Sequence, residues 1–198
     1  MTSRLFVLLT LPALLGALAP SVPAAAAPAA PGLRAWLQAV EAVPTAEQLR
    51  RAGGPEVART LDQVVGDTAE PTYARHRAVS FLAILDTPEA TRRLQARTHL
   101  PDADLRATAA LAWAAGPGRR RHPQAWREID RLLADPAVNV RTAAARGLEF
   151  VADGRAAHLR VLERQKIEKD PGVLRVLGRI GERLRSRAPA SLPSRPKG

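Results

Sequence analysis

The chain has 198 residues, of which 46% are hydrophobic and only 4% aromatic, and its formal net charge is +11. That length suits one modest domain or a short repeat array. Apolar content dominated by Ala favours closely packed helices over a sandwich of β-branched and aromatic residues. Cysteine is absent, which excludes a disulfide framework, a thiolate metal site and a cysteine nucleophile.

Residues 1–26 read as a secretory signal. Arg4 supplies a positive start, Leu5 to Ala19 an apolar run, and the small residues around Ala24 to Ala26 a cleavage site. Neither a twin-Arg pair nor a lipid-attachment Cys is present, so the general secretion route to the periplasm or exterior is expected. The rival reading is an uncleaved anchor, but Pro12, Pro20, Pro23, Pro28 and Pro31 interrupt the uncharged run. Residues 27–32 follow as an Ala/Pro linker.

Residues 33–53 are expected to form N-terminal capping helices. LRAWLQAVEAV from Leu33 is amphipathic, and Thr45-Ala46-Glu47-Gln48 has the form of a capping box. Trp36 is placed against the core. Four helical hairpins are then expected over 55–85, 88–115, 123–151 and 156–185, each with a Pro-bearing turn between its helices. Those turns are Glu70-Pro71, Pro101-Asp102, Asp135-Pro136 and Asp170-Pro171. Four arginines align behind them, Arg77, Arg106, Arg141 and Arg175, at intervals of 29, 35 and 34 residues. Ala137, Val140, Ala144, Leu148 and Val151 form one apolar stripe at helical spacing, and Val173, Leu177, Ile180 and Leu184 another. A single hairpin cannot bury such a stripe, whereas stacked hairpins can. Ala109, Ala110, Ala143 and Ala144 permit close helix approach. The tail 186–198 is Pro- and Ser-rich, basic, and expected to be disordered.

The unit LLADPAVNVRTAAARGLEF, Leu132 to Phe150, resembles a HEAT repeat, and more narrowly the short bacterial HEAT-like or PBS-lyase-like type. The resemblance rests on Asp135-Pro136, Val140-Arg141, Ala144 and Leu148, and extends with decreasing strength over residues 55–185. It implies an all-α fold, a right-handed α-solenoid of about four helical hairpins of the armadillo-type superhelix. It implies little about function, because this architecture serves many tasks. The family's lyase name brings scaffold residues only and no catalytic position to carry over.

Two roles are open to the aligned arginines. In one, Asp102 and Arg106, Asp135 and Arg141, and Asp170 and Arg175 form a structural joint, each Arg pairing with a turn Asp of its own or the next unit. In the other, the guanidinium groups line a concave face and bind an anion. Recurrence with the Asp-Pro turn favours the joint. Arg119, Arg120 and Arg121 follow Gly116-Pro117-Gly118 in the longest linker, read as a loop that either grips an anion or is simply solvated. Asn139, Thr142, Arg146 and Glu149 are candidate partner contacts on the second-helix face.

Catalytic material is sparse. Ser80 is the one Ser between Leu33 and Leu184, and its apolar neighbours suggest burial. Arg127-Glu128 and Glu163-Arg164 read as solvated pairs. His76, His99, His122 and His158 have no metal-ligand spacing. The sequence thus points to a non-enzymatic, exported, monomeric module without cofactor or metal. Its expected partner is a protein, acidic in character. The alternative is an anionic polymer or surface, nucleic acid, acidic polysaccharide or lipid, bound through the Arg119 to Arg121 loop and the basic tail, which the positive charge also favours.

Overall fold

The computed structural model describes residues 32–39 and 41–187. The expected signal, all of the linker but Gly32, and most of the basic tail lie outside the described residues. Among the described residues the chain is all-helical, with ten α-helices and no strand. None of these helices is long and apolar enough to cross a membrane.

Helix α1 (Leu33–Gln38) is shorter than the amphipathic pattern suggested, because Ala39 is already extended at ψ 126°. The carbonyls of Trp36 and Ala42 instead accept from the Arg77 guanidinium at 3.0 and 2.7 Å. Helix α2 (Ala46–Gly53) opens on a complete capping box. The Gln48 N–H donates to Thr45 Oγ1 at 3.2 Å, and the Thr45 N–H donates to Gln48 Oε1 at 2.8 Å. Gly54, at φ +67°, ends it in a conformation that favours glycine.

Eight helices follow, each packed on its neighbour in sequence as four pairs: α3 (Val57–Gly66) with α4 (Thr72–Ile84), α5 (Pro88–Arg97) with α6 (Ala103–Trp113), α7 (Ala125–Leu133) with α8 (Val138–Gly147), and α9 (Gly154–Ile167) with α10 (Pro171–Arg187). Side-chain oxygens set several starts. Thr87 caps Ala90 ahead of Pro88, Asp102 caps Asp104 and Leu105, and Asp153 caps Ala156. Asp170 accepts from the N–H groups of Gly172 and Val173 at 2.8 and 3.0 Å. Helix α10 extends to Arg187, two residues into the segment expected to be tail.

The second helices form one continuous row. Helix α4 packs on α6, α6 on α8 and α8 on α10, while α1 covers α4 at the opposite end. The buried faces are the expected stripes. Val140, Ala144, Leu148, Val173, Leu177, Ile180 and Leu184 all lie in the core. Small residues let α6 and α8 approach closely. A Cβ on Gly147 would sit 2.6 Å from the Ala114 Cβ.

Two expectations fail here. Gly116-Pro117-Gly118 is no solvated loop but the end of a buried π-helical turn (Ala114–Gly118) that prolongs α6. A Cβ on Gly116 would meet the Ala83 carbonyl oxygen at 2.9 Å, so the glycine serves packing. Ser80 is exposed, because the buried side of α4 runs through Ala74, Ala78, Val79, Phe81 and Leu82. Its hydroxyl donates to the His76 carbonyl at 3.2 Å.

Candidate functional site

The most ordered polar feature is a joint between successive hairpins. Arg106 and Arg141 are each the fourth residue of their helices, α6 and α8. Each guanidinium has two duties. One terminal nitrogen donates to its own turn: Arg106 Nη1 to Leu100 and Pro101 oxygens at 2.5 and 3.0 Å, and Arg141 Nη1 to Asp135 and Pro136 oxygens at 2.9 and 3.0 Å. The other edge reaches into the next hairpin as a bidentate fork. Arg106 grips Asp135 at 2.9 and 3.0 Å, and Arg141 grips Glu168 at 2.9 and 3.1 Å.

The structure changes the membership of this joint. Arg141 pairs with Glu168, and not with the carboxylate of Asp135 or Asp170. Six residues before Arg106 and Arg141 stand Leu100 and Asp135, whose carbonyls each Arg binds. Counting the same way, the fourth residue of α4 is Arg75, and the fourth of α10 is Leu174. Ala74 is buried like Leu105 and Val140 at the preceding position, so Arg75 and not Arg77 shares the register of Arg106. Six before Leu174 stands Glu168, which is why it, and not Asp170, receives Arg141. Leu100 occupies the acid position of its unit. Arg75 therefore has no carboxylate ahead of it and donates to the Val65 oxygen at 3.0 Å. Arg175 is exposed and outside the joint.

Both acids are buried and remain ionised. Burial works against the charge on Glu168, but hydrogen bonds from Arg141, Arg164 and the Lys169 and Asp170 N–H groups prevail and hold it at about 2. Asp135 is lowered in the same sense. Burial opposes ionisation, and the Arg106 fork and the Ala137 N–H overcome it.

A second set of contacts joins the first helices. Asp62 of α3 binds Arg93 and Arg97 of α5 at 2.9 and 2.6 Å. Asp130 of α7 binds Arg160 of α9 at 2.7 Å, with that guanidinium 4.0 Å from the centre of the Trp126 ring. Glu128 is no solvated partner of its neighbour Arg127. It is buried, accepts from the fully buried Thr98 hydroxyl at 2.5 Å and pairs with Arg131, and Arg131 Nη2 also donates to the Thr98 oxygen at 2.7 Å. Burial opposes its charge, but Arg131 and Thr98 hold its pKa below the usual value. Arg164, likewise, is spent on Glu168 at 2.8 Å.

The candidate contact residues divide by what they already bind. Asn139 donates to Asp104 at 2.7 Å, Thr142 donates to the Val138 oxygen at 2.8 Å, and Glu149 holds Arg183 and Arg187 at 2.9 Å each. Arg119 lies 5.9 Å from the centre of the Phe150 ring. Arg120 binds Asp86 at 2.5 Å and the Ala83 oxygen at 3.1 Å. Arg146 is exposed and has no ion-pair partner among the described residues. It borders a groove of about 360 Å³ lined by Leu111, Phe150, Val176 and Ile180, by the Glu149–Arg183 ion pair, and by Arg146 and Arg179, which have no ion-pair partner among the described residues. The sequence reading missed Arg179, whose signal was its place on the outward side of α10.

Among the described residues no group of three His, Asp or Glu side chains could hold a metal ion. His76 Nδ1 lies 2.6 Å from the Thr108 hydroxyl, and His99 is 3.3 Å from Glu128. No family model matches the chain, and no curated protein matches it.

Proposed function

We propose that the chain is a HEAT-like right-handed α-solenoid of four hairpins that acts as a non-enzymatic interaction scaffold. The observation that carries this reading is the unbroken row of α4, α6, α8 and α10, with the same arginine joint at the same helical position of α6 and α8. Such a row is how repeat proteins build an extended binding surface. The groove edged by Arg146 and Arg179 supplies apolar contact and unpaired positive charge, which suits an acidic protein partner with an apolar side chain to bury.

The available polar groups support a binding role over catalysis. The Ser80 hydroxyl is committed to a backbone oxygen, and the His76 ring to Thr108. The carboxylates with shifted acidity, Glu128, Asp135 and Glu168, are shifted downward and locked in ion pairs, the wrong direction for proton transfer near neutral pH. Export belongs to the same reading and rests on residues 1–26.

Site-specific photo-cross-linking in envelope preparations tests the assignment. A cross-linker at position 146 on the second-helix row should form a discrete adduct, and one at the exposed Arg127 of α7 should not. An adduct at 127 with none at 146 would move the binding surface to the other side. Loss of the 146 adduct on Arg179→Glu is the further expected result.

A further inference from the structure

The two residues other than glycine with positive φ among the described residues are Asp86 at 49° and Arg121 at 56°. They are far apart in sequence, yet both line one groove of about 630 Å³ between the α4–α5 turn, α5 and the segment after the π-helical turn. Asp is tolerated in the left-handed region through its short polar side chain, but a long side chain there is uncommon. Strained residues persist where the surroundings impose them and cluster at binding sites. Here the Arg120–Asp86 pair ties the two segments together.

The charge of the groove identifies what fits it. Asp86 neutralises Arg120, which is also anchored to the Ala83 oxygen. Arg92 and Arg121 line the same groove, and neither guanidinium has an ion-pair or hydrogen-bond partner among the described residues. Two uncompensated guanidinium groups match a dianion better than a single carboxylate. Thr91 and Gln95 on α5 add hydrogen-bonding groups. Its volume falls in the range of small-molecule sites, about 300–1,000 Å³, and exceeds the needs of a bare ion.

We propose that this groove binds a small phosphoryl-bearing ligand, its dianionic group held between Arg92 and Arg121. The site is separate from the second-helix row, so the proposal does not rest on the scaffold reading.

Calorimetric titration at low ionic strength tests it, with glucose 6-phosphate and inorganic pyrophosphate as probes and glucuronate as the monocarboxylate comparison. The phosphoryl probes should bind more tightly than glucuronate, and added salt should weaken them. Arg92→Ala and Arg121→Gly should each weaken binding about tenfold, the worth of a charged hydrogen bond. Arg121→Gly also relieves the left-handed strain, so its melting temperature should hold or rise, and lost binding cannot then be put down to unfolding. Arg127→Ala, outside the groove, should bind as the parent does. Failure of the parent chain to bind either phosphoryl probe at millimolar concentration overturns the proposal. So does unchanged affinity in Arg92→Ala/Arg121→Gly, equal affinity for glucuronate, or an equal loss in Arg127→Ala.

Discussion

Arg141 and Glu168 meet through two parallel hydrogen bonds, at 2.9 and 3.1 Å, across the boundary between the third and fourth hairpins. The pair does more than neutralise charge. Because Arg141 Nη1 is fixed to the Asp135 and Pro136 oxygens, the fork fixes where the next hairpin's turn must lie. Arg106 and Asp135 repeat this one unit earlier. A buried ion pair adds little net stability over an apolar pair of equal shape, so its value lies in setting register.

The two rungs should differ in what they cost to break. Arg106→Ala leaves Asp135 buried, its carboxylate held by the Ala137 N–H alone. Arg141→Ala leaves Glu168 with Arg164 and two backbone N–H groups. Stranding a buried charge costs about 3–5 kcal/mol, whereas losing one charged hydrogen bond among several costs about 1.5–3 kcal/mol. Urea denaturation should therefore rank Arg106→Ala as the less stable variant. An Arg141→Ala variant that keeps its stability but loses partner cross-linking would reassign Arg141 from joint to binding residue.

Acid should reveal the same joint. The Glu168 pKa is depressed in the folded state, from 4.5 to about 2. Its contribution is therefore fully present above about pH 4.5 and disappears as pH falls through 2. The shift corresponds to about 3 kcal/mol. Glu128 and Asp135 are lowered too and act in the same direction. The urea midpoint should fall steadily between pH 5 and pH 2. In Arg141→Met the slope should be shallower, because Glu168 then titrates nearer its ordinary value; an identical slope would remove Arg141 as a cause of the shift.

What the sequence disclosed about this arrangement depended on range. The Asp135-Pro136 turn, the Arg141 position and the stripe through Val140, Ala144 and Leu148 are local patterns, and the helices follow them. The partners were not legible. Glu168 is 27 residues from Arg141 and stands beside the more conspicuous Asp170, whose carboxylate is taken up by its own helix start. Arg77 aligns with the other arginines behind the Glu70-Pro71 turn, but the buried side of α4 sets the register at Arg75. Glu128 looked like a solvated neighbour of arginines until Thr98, 30 residues away, closed over it. Gly116-Pro117-Gly118 has the composition of a loop, yet Ala83 and Val151 require its small residues inside the core.

Close approach of α6 and α8 makes a last prediction from glycine. Gly147→Ala would place a methyl 2.6 Å from the Ala114 Cβ, with no flexible side chain to yield. Overpacking of this kind costs about 1–3 kcal/mol. Gly178, in the middle of α10, is the contrasting case, for an added Cβ there meets only Gln165 Nε2, at 4.0 Å. Ala in that position should stabilise the helix by about 0.5–1 kcal/mol. Thermal melts of the two variants should thus move in opposite directions. If Gly147→Ala melts no lower than the parent, α8 can slide along α6, and the joint at Arg106 and Arg141 would not be holding their register as argued.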